Sequence, residues 1–220
     1  MNMVQWLGER KEFLVTGGVV LTTLVFLPSL EQHSTINPVF QSLIASAVLF
    51  LVLPLLYCKI ILKQPWSVLG LQKGSIWAGL GGSIIALVSG LIFLFGLMHF
   101  TPLFHEVHLP RSIEENFFLF LLYEVVLNGW VTLLIEVFFR GLVMFVWLRR
   151  FGFFSVFIQA ALFAGFLFLT DDMTPAMIPL LLFSPLAGLI AYQSRSLLAS
   201  WGASWFFVFL ADALILIVGT

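Results

Sequence analysis

The chain has 220 residues, of which 61% are hydrophobic and 10% charged, and its mean hydropathy is +1.10. A soluble domain needs more charged surface than this, so the composition predicts an integral membrane protein surrounded by a lipid bilayer. The formal net charge of −1 provides no basic surface, and no nucleic-acid partner is expected. The single cysteine, Cys58, excludes an internal disulfide.

Apolar segments long enough to cross the hydrocarbon core follow one another along the chain. We predict an all-α, polytopic helical bundle with residues 1–220 forming one integral membrane domain. The seven predicted transmembrane helices are 13–30, 38–58, 76–98, 117–147, 153–170, 174–193 and 197–218. The fourth is longer than one crossing needs, and Asn128-Gly129 could kink it or divide it into a re-entrant piece and a span.

The basic residues outside these spans are distributed very unequally. If the N-terminus is cytoplasmic, the outer side receives only Arg111. The cytoplasmic side then receives Arg10, Lys11, Lys59, Lys63, Lys73, Arg149, Arg150 and Arg195. Because cytoplasmic loops of membrane proteins are enriched in Lys and Arg, we predict a cytoplasmic N-terminus, an external C-terminus and insertion in the plasma (inner) membrane.

The fourth predicted span carries polar residues at successive i+4 positions, an unusual pattern inside a membrane. These are Glu124, Asn128, Thr132, Glu136 and Arg140. One interpretation is that Glu136 and Arg140 neutralise each other while the other side chains bond across helices. The other is a hydrated cavity lined by this face, with Gln159 and Asp212 as further polar lining residues. The spacing alone leaves both open.

Three short motifs give the chain a family resemblance. Residues 134–141 read Leu-Ile-Glu-Val-Phe-Phe-Arg-Gly, with Glu136 one helical turn before Arg140. This resembles the Glu-Glu-x-x-x-Arg motif of the CPBP intramembrane CAAX-protease family, which includes type 2 CAAX prenyl proteases, lysostaphin resistance protein A-like proteins and Abi-domain proteins. Ile135 stands where the first Glu of the motif belongs. The segments Leu69-Gly70-Leu71, Arg149-Arg150 and Arg195-Ser196-Leu197 are also similar to the family. Together with the motifs, they extend the resemblance over about residues 66–212 and imply a CPBP-like core there.

The second and third motifs align but have lost their polar residues. The family's Phe-x-x-x-His motif aligns with Phe163 and Leu167, so leucine replaces the histidine. Its third motif, a His followed four residues later by Asn or Asp, aligns with Ser204 and Val208. In the family, as the resemblance implies, the paired glutamates and histidines activate water, and a metal is a possible participant.

These losses predict a protein without a competent catalytic residue. Isoleucine, leucine and valine can neither accept a proton nor bind a metal, and serine is a poor zinc ligand. We therefore expect no cofactor and a non-catalytic role in binding a membrane protein or peptide segment. Zinc is expected only if the protein is instead an active intramembrane endopeptidase.

Two alternatives remain at this point. The first is an active intramembrane endopeptidase that uses a non-standard set, for example Glu136, Asp212, Gln159 and Asn128. The second is a transporter-like membrane protein, in which buried charged groups line a path. A serine protease is excluded because no histidine of the inner spans could activate Ser196, Ser200 or Ser204.

Overall fold

A computed structural model describes residues 13–26, 38–101, 110–170 and 173–218 of the protein. Every regular element within these ranges is helical, and no β-strand occurs among them. The predicted all-α membrane bundle is therefore confirmed. Side chains that the membrane would surround are apolar: Trp77, Phe100 and Ile85 expose 85%, 83% and 72% of their surfaces. Such a surface suits lipid and would be unfavourable in water.

We number the helices in chain order, joining consecutive helical segments where no break separates them. Helix α1 is Phe13–Phe26, α2 covers residues 38–61, α3 is Ile76–Phe100, α4 is Arg111–Glu114, α5 covers residues 117–151, α6 is Ser155–Leu169, α7 is Ile178–Ser194 and α8 is Leu197–Val218. Short 3₁₀ turns occur at Trp66–Leu69, Gly152–Phe154 and Pro175–Met177.

The predicted number of seven spans is not confirmed. Five stretches within the described residues are long and apolar enough to cross a membrane: Gln41–Ile61, Ile76–Phe100, Phe117–Leu169, Pro175–Ser194 and Leu197–Ile217. The third has 53 residues because only the 3₁₀ turn Gly152–Phe154 separates α5 from α6, which the sequence predicted as two spans. Helix α1 has only 14 described residues, fewer than one crossing needs.

The sequence left open whether Asn128-Gly129 kinks the fourth span or divides it. The structure excludes a division, because α5 continues through both residues. Asn128 and Gly129 both have right-handed helical backbone angles, with φ of −67° and −61°. The helix instead widens into π-helical turns at Tyr123–Asn128 and Glu136–Phe145. Turns of this type are rare and occur often at functional sites.

The bundle has two main apolar clusters. In the first, small residues of α3 allow α7 and α8 to approach it closely, and the Phe183 and Phe207 rings of those two helices stack 4.4 Å apart beside Gly90. In the second, α2, α5 and α6 pack through aromatic rings, with Phe50 stacked 4.6 Å from Phe138. Helix α5 therefore lies between the remaining helices and is buried along most of residues 134–145.

The segment between α2 and α3 is fastened to the turn between α7 and α8. Ser75 N–H donates to the Ser194 carbonyl at 2.8 Å, and Leu197 N–H donates to the Gly70 carbonyl at 2.8 Å. On the same side of the bundle, Arg149 donates to Gln64 at 3.3 Å. These contacts bring the basic loops before α3, after α5 and after α7 to one end. Their position relative to the two membrane faces remains a prediction.

Gly74 provides a test of this junction. It has φ of +58°, and a Cβ added there would collide with the Ser194 carbonyl oxygen and lie 2.9 Å from Ser196 Cβ. We expect Gly74→Ala to lower the thermal midpoint of the purified protein, because the left-handed backbone alone costs about 1–2 kcal/mol for a residue with a side chain. Gly81→Ala is the matched control, since nothing lies within 4 Å of a Cβ there. Equal thermal midpoints for the two variants would contradict the close packing of this junction.

Candidate functional site: two buried polar groups on helix α5

Glu136 and Arg140 form an ion pair in the interior of the bundle. Arg140 Nη1 lies 3.4 Å from Glu136 Oε1, and the two side chains are 1% and 0% exposed. Their i,i+4 spacing places both on one face of α5. Charged groups at this depth need partners because removing them from water costs several kcal/mol per ion. The pair meets part of that need within a single helix.

Glu136 has two more partners on α8. Ser200 Oγ donates to Glu136 Oε2 at 2.6 Å, and Ser204 Oγ donates to Glu136 Oε1 at 2.7 Å. Both serines are buried and spaced four residues apart, one turn along α8. The Glu136 carboxyl group therefore accepts a hydrogen bond from α8 at each of its two oxygens. Ser204, at the position of the family's histidine, is engaged as a donor to Glu136.

Arg140 also contacts helix α7, through a carbonyl that it shares with α6. Arg140 Nη2 and Gln159 Nε2 donate to the Ser184 carbonyl at 3.3 and 3.0 Å. Among the described residues, Arg140 Nε and Nη1 have no hydrogen-bond acceptor in good geometry. The guanidinium is thus the least satisfied member of this group.

Ile135 and Leu167, which the sequence analysis aligned with a motif Glu and a motif His, line an apolar cavity. Ile135, Phe163 and Leu167 are buried in one cluster, and Val208 packs against it. The first three line a cavity of about 210 Å³, which we call the apolar cavity. Its other lining residues are Ser42, Leu43, Ser46, Phe50, Val131, Leu134, Phe166, Thr170 and Met177. The cavity thus has hydrocarbon at the two positions that the sequence analysis aligned with a Glu and a His of the family motifs.

A second cavity, of about 220 Å³, lies beside a pair of carboxyl groups nearer the opposite end of α5. Asn128 Nδ2 donates to Glu124 Oε1 at 3.0 Å and to Asp212 Oδ2 at 3.2 Å. Val131 and Met177 line both cavities, so the two are neighbours. The lining of this acidic cavity is Pro110, Tyr123, Asn128, Val131, Thr132, Ala176, Met177, Leu180, Val208, Asp212 and Ile215.

The structure therefore separates the residues of the predicted polar set into two groups. Asn128, Thr132 and Asp212 line the acidic cavity, with the buried Glu124 bonded to Asn128. Gln159 does not join them, which corrects the expectation that it lines the same cavity; it is fully buried and bonded to Ser184. Asp212 does not approach Glu136 as a hydrogen-bond partner either. The non-standard catalytic set Glu136, Asp212, Gln159 and Asn128 is thus divided between the two groups.

Ser184 and Ser200 are site residues that the motif analysis did not predict. The i,i+4 spacing of Ser200 and Ser204 repeats that of Glu136 and Arg140, and this repeat was a usable signal. The Ser184 backbone carbonyl accepts from Arg140 and Gln159, and its hydroxyl donates to Gln159 Oε1 at 3.4 Å. The carbonyl contacts do not depend on residue type, so the sequence carries no signal for them.

Zinc does not fit the residues present. Among the described residues there is no group of three or more His, Cys, Asp or Glu side chains that could hold a metal ion. Ile135, Leu167 and Val208 provide no donor atoms, and the Ser204 hydroxyl is already bonded to Glu136. Structural and catalytic zinc sites need three or four nitrogen, sulfur or carboxylate ligands.

Removing one member of the Glu136–Arg140 pair should destabilise the protein far more than removing both. Arg140→Met leaves a buried carboxylate without its cation, a change that typically costs about 3–5 kcal/mol. Adding Glu136→Leu removes that charge, so the double variant should regain most of the folded yield and thermal midpoint in detergent. Arg111→Met is the control, because the Arg111–Glu115 pair is 89% and 64% exposed. If the Arg140 single and double variants behave alike, the two residues do not act as a unit.

Comparison with known families agrees with the motif analysis. Residues 114–210 match the family model "Type II CAAX prenyl endopeptidase Rce1-like". This segment contains the Glu136–Arg140 group and, of the second group, Glu124 and Asn128 but not Asp212. No curated protein and no solved structure matches the chain. The matched segment lies within the predicted core of residues 66–212 and spans α5 through most of α8. The chain is an integral membrane protein, and its residues 114–210 are similar to the Rce1-like type II CAAX prenyl endopeptidase family.

Proposed function

We propose that the protein is a catalytically inactive member of this family that binds a membrane protein or peptide segment through the apolar cavity. It acts in the plasma membrane with its N-terminus in the cytoplasm, the orientation favoured by its basic residues. The observation that carries the proposal is the lining of the apolar cavity. Ile135 and Leu167, at the positions of a motif Glu and a motif His, are its buried walls.

The loss of catalysis is supported by what each polar group near the cavity already does. General base catalysis needs a group within hydrogen-bond reach of the attacking water. Glu136 is 0% exposed and bound by Arg140, Ser200 and Ser204. It does not line the apolar cavity, and none of the described residues that line it is a histidine. A carboxyl group with these three partners is held away from the space where a peptide would lie.

The binding role is supported by the shape and chemistry of the same space. A volume of about 210 Å³ accommodates one or two apolar side chains of a partner, and the walls are aliphatic or aromatic except for Ser42, Ser46 and Thr170. Inside a membrane, association depends on packing and on a few polar contacts rather than on exclusion of water. A cavity of this kind supplies both.

One observation favours the alternative of an active endopeptidase. Glu124 and Asp212 place two carboxyl groups on one amide nitrogen beside the acidic cavity. Paired carboxyl groups that share a proton can activate water, as in aspartic proteases. The endopeptidase hypothesis therefore remains the second candidate, with this pair rather than Glu136 as its centre.

The first test is proteolysis. Purified protein in detergent, incubated with a prenylated CAAX peptide and with unprenylated fluorogenic peptides, should give no cleavage above a protein-free blank. When catalytic groups act as a unit, the loss of some of them removes almost the whole catalytic rate rather than a fraction of it. Cleavage that disappears in Glu136→Gln or in Asp212→Asn, with thermal midpoints unchanged, would establish the endopeptidase and identify its carboxyl group. Glu115→Gln is the control for both variants, since the Glu115 side chain is exposed and belongs to neither buried polar group.

The second test is occupancy of the apolar cavity in membranes. A photoreactive residue at Met177, which lines the cavity, should form a discrete protein or peptide adduct in native membranes. The same residue at Ile85, which is 72% exposed on α3, should label lipid only. Leu167→Trp fills the cavity and should abolish the adduct at position 177 without changing lipid labelling. Identical adducts at both positions, or an adduct that survives Leu167→Trp, would contradict binding in the cavity.

A further inference from the structure

A groove of about 520 Å³ lies on the outside of the bundle between α3 and α8, and we call it the α3–α8 groove. Its floor forms where the two helices approach closely, since a Cβ added at Gly79 would lie 2.9 Å from Ala199 Cβ. Larger side chains border the groove on both helices, and Leu80 and Phe206 expose 52% and 42% of their surfaces. The groove shares no lining residue with the apolar cavity or the acidic cavity.

The groove is about as long as one leaflet of a bilayer is thick. On α3 its helical lining begins at Ile76, the first residue of the helix, and ends at Leu87. A rise of 1.5 Å per residue makes this stretch about 16 Å long, and half of a hydrocarbon core is about 15 Å. The next turn of α3 brings Gly90 against the Phe207 ring of α8, which closes the groove. An acyl chain ends at this depth, whereas a partner's transmembrane helix would continue through the other leaflet.

The open end of the groove, where α3 begins, is polar and basic. Lys73 and Ser196 line it. Among the described residues no ion pair involves Lys73, and its side chain is exposed. The surrounding sequence supplies no acid either, because residues 32–105 and 173–211 contain neither Asp nor Glu. An anionic group at this end would therefore complement the charge of Lys73.

Two long helices begin at the same end and add to its positive potential. Helix α3 begins at Ile76 and α8 at Leu197. The Ser75 N–H, which donates to the Ser194 carbonyl at 2.8 Å, holds the two starts side by side. A helix start attracts anions because its first N–H groups and its dipole point outwards. These features suit any anion, and the apolar groove beside them selects an anion that carries a long hydrocarbon chain.

We propose that the α3–α8 groove binds one anionic phospholipid, with an acyl chain along the groove and the phosphate beside Lys73. In the predicted orientation this end faces the cytoplasmic leaflet, whose surface is negatively charged. The assignment does not rest on the proposed function, because the groove is separate from the apolar cavity and its occupant is a lipid rather than a protein segment.

Native mass spectrometry of the full chain tests this directly. The protein would be released from detergent micelles that contain phosphatidylglycerol or phosphatidylcholine with identical acyl chains, and the number and affinity of retained lipids recorded. Lys73→Gln removes the cation at the open end, and Lys59→Gln, at an exposed position on α2 outside the groove, is its control. Gly202→Leu fills the groove, and Gly165→Leu on α6 is its control, since nothing lies within 4 Å of a Cβ at either glycine.

We expect the wild type to retain one phosphatidylglycerol molecule with an affinity about fivefold or more above that for phosphatidylcholine. Lys73→Gln should lose about fivefold in affinity for phosphatidylglycerol, the effect typical of one Lys near a lipid head group, and leave phosphatidylcholine binding unchanged. Gly202→Leu should weaken the retention of both lipids, because its side chain occupies the space of the acyl chain. Lys59→Gln and Gly165→Leu should bind like the wild type.

Equal affinity of the wild type for the two lipids would overturn the proposal. Full phosphatidylglycerol affinity in Lys73→Gln, or in Gly202→Leu, would do the same. A lipid-free dimer that Gly202→Leu abolishes and Gly165→Leu keeps would instead assign the groove to a second copy of the chain. If a variant fails to fold, the wild-type preference for phosphatidylglycerol over phosphatidylcholine still decides.

Discussion

The burial of one guanidinium constrains the arrangement of the four helices around it. Arg140 is 0% exposed, cannot lose its proton at physiological pH and has five N–H donors to satisfy. Glu136 from its own helix supplies the countercharge, and α7 supplies the Ser184 carbonyl. The countercharge in turn requires Ser200 and Ser204 from α8, and the shared carbonyl brings in Gln159 from α6. Helices α5 to α8 are thus tied together around a single charge.

The two buried acidic groups illustrate how neighbours determine what a carboxyl group can do. Glu136 contacts two hydroxyl donors and a guanidinium, so its carboxyl oxygens find their hydrogen-bond and charge partners within the protein. Glu124 and Asp212 share one neutral amide, and an oxygen of Glu124 is left without a partner among the described residues. The motif comparison directs attention to the first group because it contains the recognisable residues.

The sequence predicted the membrane class, most helix positions and the Glu136–Arg140 pair, because hydropathy and i,i+4 spacing are local properties. It could not predict the meeting of Asn128 with Asp212, which are 84 residues apart and join only once α5 and α8 are packed. The predicted number of spans is not confirmed. The sequence places two spans on either side of residues 148–152, whereas the structure joins α5 and α6 through the single 3₁₀ turn Gly152–Phe154, where Gly152 has φ of +53°. Gln159 was assigned to the wrong group because it donates to the backbone carbonyl of Ser184, a contact that residue types do not predict.

The polar contacts between α5 and α8 limit how this part of α5 tolerates changes in length. Asn128 bonds to Asp212, and Glu136, which follows the α-helical segment Gly129–Ile135, bonds to Ser204. Between these two points, the Trp201 indole N–H of α8 donates to the Gly129 carbonyl. Deleting one residue between Asn128 and Glu136 would rotate one contact away by about 100°. Between these two points, the number of residues is constrained more tightly than their identities.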